Sequence, residues 1–280
     1  MKPTQKWQKL TAVPALLLSL AFWSTTNVIA QATQQAQTPA NNEYQEGAIL
    51  WSQTSGEMRA LSYQAFNLAR MLLDRDLRTR HRSRLRRAII VDVDETIIDN
   101  SRYQATLLKN RQNHSSQRFT DWVNRAEAAA LPGAVEFLRY AASKGVRVFY
   151  ITNRRQVEKA GTSANLKKLG FPEVNDETLL VRPDGQSSNK EPRRQSVAQK
   201  HRIVLLMGDN LNDFAEIFDQ SKTVADRLAA AEQNKDKFGV RFVVLPNPQY
   251  GDWESAIYDY NFTLTEEEKS AKRKANLKTY

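Results

Sequence analysis

The 280-residue chain contains no cysteine and only three histidines, His81, His114 and His201. The first absence excludes disulfide scaffolds, cysteine-ligated zinc and every phosphatase or protease that uses a thiolate nucleophile. No two histidines stand at metal-ligand spacing, which argues against a His-based zinc or iron centre. What remains is ordinary for a globular protein. Hydrophobic residues make up 41% and charged residues 26%, and the length suits one large domain or one domain with a small cap.

Lys2, Lys6 and Lys9 precede an apolar stretch over residues 10–23, interrupted by Thr11, Pro14 and Ser19. Small residues then offer a cut after Ala30, with Val28 at −3, or after Ala32, with Ala30 at −3. This pattern predicts a signal peptide over residues 1–30 rather than an uncleaved anchor, because the stretch falls short of the ~20 residues that span a bilayer. The mature chain is therefore expected to be exported, periplasmic or secreted, with no membrane span. With no cysteine at the cut, a lipid anchor is set aside.

The net charge of +10 falls to +7 once the three leader lysines are subtracted. Arg70, Arg75, Arg78, Arg80, Arg82, Arg84, Arg86 and Arg87 crowd one segment, offset by Asp74 and Asp76. Such a segment either meets an anionic surface or is a solvated helix end. No stacking aromatics interleave the arginines, so the second reading is favoured and no nucleic-acid partner is expected.

Residues 31–42, rich in Gln, Ala, Thr and Asn, read as a flexible linker. Residues 43–77 turn helical, with Met58, Leu61, Ala65, Ala69 and Leu72 on one face. The run AIIVDV at 88–93 fits a strand buried on both faces of a parallel sheet. Pro132-Gly133 opens a helix that turns Val135, Leu138 and Ala142 inward and ends at Gly145. Further strands are expected over 146–152, 178–181, 203–207 and 241–245, with helical patterns between them. The alternation predicts an α/β fold, a doubly wound parallel sheet, within a domain spanning 43–262. Residues 43–85 and about 100–130 would form a smaller, mainly helical part, and 263–280 a charged tail.

In open α/β sheets, ligands bind beyond the carboxyl ends of the strands. The first strand runs into Asp92-Val93-Asp94-Glu95-Thr96, and alternation aims Asp92 and Asp94 the same way. The second ends at Thr152-Asn153-Arg154, Lys190 stands before Arg193 and Arg194, and a later strand ends at Gly208-Asp209-Asn210-Leu211-Asn212-Asp213. Two buried carboxylates this close call for a cation. Oxygen ligands without His or Cys select a hard one, Mg²⁺ above others. The chemistry that needs this set is metal-assisted phosphoryl transfer. One carboxylate attacks phosphorus, a second moves the proton, and a hydroxyl and an ammonium hold the phosphoryl oxygens.

The stretches VDVDETIIDNSRYQ, YITNR, NKEPRRQ and MGDNLNDF, in this order, resemble the haloacid dehalogenase (HAD) superfamily of phosphatases. More narrowly, the chain resembles class C acid phosphatases and the related outer-membrane lipoprotein 5′-nucleotidases, over roughly residues 44–260. The resemblance implies a HAD-like fold in which Asp92 is the nucleophile and Asp94 the general acid/base. It implies that Thr152, followed by Asn153, contacts the phosphoryl group and that Lys190 fills the third-motif place. Asp209 would hold Mg²⁺ with the Asp92 carboxylate and the Asp94 backbone carbonyl, and Asp213 would support it directly or through water.

Members that act on nucleotides place an aromatic pair around the base. Phe119 and Tyr250 could stack on a flat leaving group, or simply pack in the cap. Trp122 and Trp253 read as core, and Tyr103 fits either role. Arg80-His81-Arg82 lacks the glycine that follows the Arg-His pair of histidine acid phosphatases, so His81 reads as a surface residue. His114 and His201 read as structural or exposed. The function implied is an exported, Mg²⁺-dependent acid phosphatase acting on small phosphate monoesters, nucleoside monophosphates among them, through an aspartyl-phosphate. A phosphotransferase, or a non-catalytic phosphate-binding or storage protein on the same fold, is the alternative.

Overall fold

The computed structural model describes residues 42–80 and 83–280. The expected signal peptide, the linker up to residue 41 and His81 lie outside the described residues. After a short turn the chain forms α1 (Glu46–Thr54) and α2 (Gly56–Arg78). The helical pattern over 43–77 is thus two helices, broken at Ser55, whose extended backbone and hydroxyl cap the Met58 N–H at 3.0 Å. Met58, Ala65, Ala69 and Leu72 are buried as expected, but Leu61 is 39% exposed, and Phe66 and Leu73 complete the buried face instead.

β1 (Arg86–Val91) leads into the small strand β2 (Ile98–Asp99), then α3 (Ser101–Lys109), α4 (Ser116–Arg125) and the short β3 (Ala129–Ala130), which pairs antiparallel with β2. α5 (Ala134–Ser143), β4 (Arg147–Arg155), α6 (Lys159–Leu169), β5 (Leu179–Arg182), α7 (Glu191–Ala198) and β6 (His201–Gly208) follow. The chain finishes with α8 (Glu216–Gln220), α9 (Val224–Gln233), β7 (Phe242–Val244), α10 (Asp252–Ile257) and α11 (Glu266–Ala275).

The main sheet has the order β5-β4-β1-β6-β7, with every recorded pairing parallel. All five expected strands are present, and the doubly wound α/β fold is borne out. Alternation along the strands sorts two cores. Ile89, Val91, Val148, Tyr150, Leu205 and Met207 face α2 and α5; Ala88, Ile90, Phe149, Ile151 and Leu206 face Val197, Phe214, Phe218 and Ala230.

Gly133 starts α5 at φ +86°, a left-handed conformation that glycine adopts without steric cost. The buried stripe of α5 is Ala134, Phe137, Leu138 and Ala141. It lies one residue off the expected Val135 and Ala142. Trp253 is 44% exposed and not core. Among the described residues, no helix is long and apolar enough to cross a membrane.

Candidate active site

The central strand carries its ladder one residue past β1, where the Asp92 N–H donates to the Met207 carbonyl at 2.9 Å. Asp92 is therefore placed by the sheet itself. Val93 points into the core at 0% exposure, and Asp94 returns to the side of Asp92. Glu95 then takes φ +53° and turns the chain back. Its N–H donates to the Ile98 carbonyl at 2.9 Å, which closes the turn.

Four strand ends converge here. Lys190, just before α7, donates to Asp92 Oδ1 and, at 2.6 Å, to Asp213 Oδ1. Asp209 leaves the end of β6, where its Oδ1 accepts from Thr96 Oγ1 at 3.0 Å and its Oδ2 from Asn247 Nδ2 at 2.9 Å. Asp213 Oδ2 accepts from the Asn210 N–H at 3.0 Å. Gly208 has no room for a side chain: a Cβ there would meet Asp213 Oδ2 at 2.3 Å. Arg227 fastens the same loop from α9, donating to Asn212 Oδ1 at 3.0 Å and Asn210 Oδ1 at 3.1 Å.

Asp94 is held separately. Arg154 Nη2 reaches its Oδ1 at 2.8 Å, Arg154 Nε reaches both oxygens at 3.1 Å, and Asn100 Nδ2 reaches Oδ1 at 2.8 Å. Thr152 is fully buried, with its hydroxyl 3.4 Å from Asp94 Oδ2. Arg193 donates to the Thr152 carbonyl at 2.5 Å and to Asn153 Oδ1 at 2.7 Å, tying the end of β4 to α7.

The electrostatics explain why a cation fits. Burial pushes the Asp92 carboxyl well up; Lys190 opposes that, and Asp213, Asp209 and Asp94 add to it. Burial, then Asp213, pushes Asp209 up to about 7. Lys190 is raised because Asp213 and Asp92 outweigh its own burial. Burial raises Asp94 too, but Arg154 and Asn100 outweigh it and hold this carboxyl below the ordinary range. One lysine thus faces three crowded carboxylates. Asp92, Asp209 and Asp213 offer oxygens within 4.8 Å of one another. An all-oxygen donor set of this kind fits a hard divalent cation.

These residues open into a cleft of about 840 Å³ lined by Asp92, Asp94, Asn153, Lys190, Asp209 and Asp213, among others. Phe119 and Tyr250 both line it. Phe119 packs edge-on to Tyr103, with ring centroids 5.4 Å apart, and lies 5.8 Å from the His114 ring. Tyr103, which from the sequence fitted either role, and His114, read as structural or exposed, both line the cleft. The Tyr250 hydroxyl donates to Glu95, a buried carboxyl pushed well up by burial and by the charges of Asp94 and Asp209. Trp122 packs against the core and donates to Asn100 Oδ1 at 2.8 Å.

A family model described as HAD superfamily, subfamily IIIB (acid phosphatase), matches residues 7–253. The chain belongs to this family. Its fold matches the class C acid phosphatase of Bacillus anthracis at 43% identity and a TM-score of 0.81, over 85% of this chain and 98% of that one. A second structure of that protein, with tungstate bound, matches at 43% identity and a TM-score of 0.82, over 86% and 99%. Among curated relatives, a stem 31 kDa glycoprotein of Glycine max and acid phosphatase 1 of Solanum lycopersicum are each 28% identical over 128 residues, 44% of this chain. The chain spans about half the length of these relatives (50%). The resemblance read from the motifs is borne out, and the family's enzyme class is the expected phosphomonoesterase.

Sequence reasoning quoted Arg154 and Arg193 without giving them roles, and it passed over Asn100, Asn247 and Arg227. An arginine two residues after the strand-end Thr152 was the available signal for Arg154. Asn100 lies six residues from Asp94, but the contacts of Arg193 with Thr152, Asn247 with Asp209 and Arg227 with Asn212 join residues 15 or more apart in sequence.

Proposed function

We infer that this member of the acid phosphatase family is an exported phosphomonoesterase that works with Mg²⁺ through an aspartyl-phosphate at Asp92. The observation that carries the reading is Lys190 shared by Asp92 and Asp213, beside Asp209 and an Asp94 held apart by Arg154. Tungstate in the Bacillus anthracis relative, a tetrahedral oxyanion like phosphate, supports an anion site in this cleft. Export rests on the leader pattern in residues 1–30.

Asp92 attacks phosphorus as the ester P–O bond breaks, and Asp94 delivers its proton to the leaving oxygen. Asp94 then takes a proton from water, whose oxygen displaces the Asp92 carboxylate and frees phosphate. Lys190 and the Thr152–Asn153 strand end hold the phosphoryl oxygens. Mg²⁺ held by Asp92, Asp209, Asp213 and the Asp94 carbonyl would neutralise phosphoryl charge. Arg154 keeps the resting Asp94 ionised, so the proton it must carry is gained more readily at acid pH. Phe119 and Tyr250 would meet a flat leaving group such as a nucleoside base.

Phosphate release from p-nitrophenyl phosphate and AMP, with Mg²⁺ and with EDTA, tests the reading. Release that needs metal and vanishes in Asp92→Asn is expected. No release from acid to neutral pH would move the weight to a binding protein.

A further inference from the structure

Five basic side chains, Arg154, Arg155, Arg182, Lys190 and Lys269, line the cleft. Four have acidic partners. Arg154 is bonded to Asp94, Lys190 to Asp92 and Asp213, Arg155 to Glu158 at 2.9 Å, and Lys269 to Glu266 at 2.9 Å. The side chain of Arg182, half-buried at the end of β5, has no hydrogen-bond or ion-pair partner among the described residues.

Its neighbours make this more than an idle surface charge. Arg182 is the register partner of Arg155 across the β4–β5 ladder. It also lies near enough to Arg193 to help press that guanidinium down, after burial and Arg194. Both neighbours spend their donors elsewhere. Arg155 reaches Glu158 and the Ser116 carbonyl, and Arg193 the Thr152 carbonyl and Asn153 Oδ1. Because Arg193 can only donate, Asn153 must present its oxygen to it, and its Nδ2 has no acceptor among the described residues. The cleft wall beyond β4 therefore carries positive charge and spare donors with nothing to receive them.

We propose that Arg182 forms a second anion subsite at the cleft edge, selecting phosphate monoesters whose leaving group carries a further phosphate or carboxylate. β5 lies two strands from β1, about 10 Å at ~4.8 Å per strand. A side chain reaching back from there meets the far end of a substrate, not its reacting phosphorus. Guanidinium suits planar carboxylate and tetrahedral phosphate alike. The subsite deepens the phosphatase reading and rests on it.

The test compares phenyl phosphate, 4-(hydroxymethyl)phenyl phosphate, 4-carboxyphenyl phosphate and benzene-1,4-diyl bisphosphate with wild-type protein and Arg182→Gln. The wild type favours the two esters with an anionic far end over the neutral ones in kcat/KM. Arg182→Gln lowers that preference about tenfold, through KM. The carboxylate and bisphosphate arms show which anion is preferred. Calorimetric binding of the same esters to Asp92→Asn protein, with and without Arg182→Gln, repeats the comparison without turnover. A preference unchanged by Arg182→Gln in both assays overturns the subsite. Absent hydrolysis with the binding preference intact overturns the phosphatase reading alone.

Discussion

Arg154 grips Asp94 by two of its nitrogens, Nη2 at 2.8 Å and Nε at 3.1 Å, from a position only 3% exposed. Its Nη1 is anchored on Thr162 at 2.9 Å, so the guanidinium is fixed before any substrate arrives. The carboxylate to which the proposed mechanism assigns the proton transfer is thus aimed chiefly by Arg154, which with Asn100 also holds its acidity below the ordinary range.

Arg154→Met leaves Asp94 buried without its cation, so its pKa rises. Because Asp94 also loses the contacts that aim it, hydrolysis of an alkyl phosphate, whose leaving oxygen needs the proton, falls about tenfold or more, while p-nitrophenyl phosphate is affected less. The sign of the pH effect is fixed. A weaker acid stays protonated to higher pH, so the falling limb of the kcat profile moves upward. Rate profiles on both substrates check this, and a limb that stays in place contradicts the tuning role.

Gly208 is confined by Asp213, whose Oδ2, Cβ and Cγ lie 2.3, 2.4 and 2.6 Å from where a Cβ would stand. Gly208→Ala must push Asp213 off Lys190. A misplacement of this kind costs about a hundredfold in kcat, with the far-UV circular dichroism little changed. Near-normal kcat in a folded variant would show that Asp213 is dispensable.

Metal binding is readable without turnover. Under the proposed function Mg²⁺ would bind only the folded arrangement of Asp92, Asp209 and Asp213, so it is expected to raise the melting temperature in proportion to the logarithm of its concentration. Asp209→Asn flattens that response. An equal shift in the variant would place the ion elsewhere.

At the opposite end of the sheet, Asp76 holds Arg202 at 2.6 Å and Arg87 at 2.6 Å. Burial raises its pKa, but Arg202 and Arg87 outweigh this and bring it to about 2, from 3.8. A depressed carboxyl stabilises the fold above its unfolded value and loses that stability as pH falls from 3.8 towards about 2. Discounted for solvent screening, the contribution is about 1 kcal/mol. Urea melts from neutral pH down to about 2 are expected to show Asp76→Asn to be less stable at neutral pH and less sensitive to acid. Parallel acid limbs would contradict it.

Strands and strand-end clusters were legible because each is local. AIIVDV and VRVFYIT carry β-branched runs, and the polar residues that follow them lie where a parallel sheet must leave its ligands. Side-chain direction on the helices was less so. Leu61 and Ala142 fit a helical stripe, yet the covering elements lie a little to one side and bury Phe66, Leu73 and Ala141 instead. Trp253 read as core, but it sits on the short α10, where its Nε1 donates to the Tyr250 carbonyl at 3.2 Å and it stays 44% exposed. The links from Arg154 to Asp94, Tyr250 to Glu95 and Asn247 to Asp209 span 60, 155 and 38 residues. No local pattern encodes such pairs.

The most direct measurement is to trap the intermediate. Rapid acid quench of the Mg²⁺-loaded protein turning over a radiolabelled phosphate ester should leave label on the chain. That label should be released by hydroxylamine, as an acyl phosphate is, and should map to the peptide containing Asp92. Asp92→Asn should carry none. Label on another residue, or hydrolysis that persists in Asp92→Asn without any label, would contradict the account.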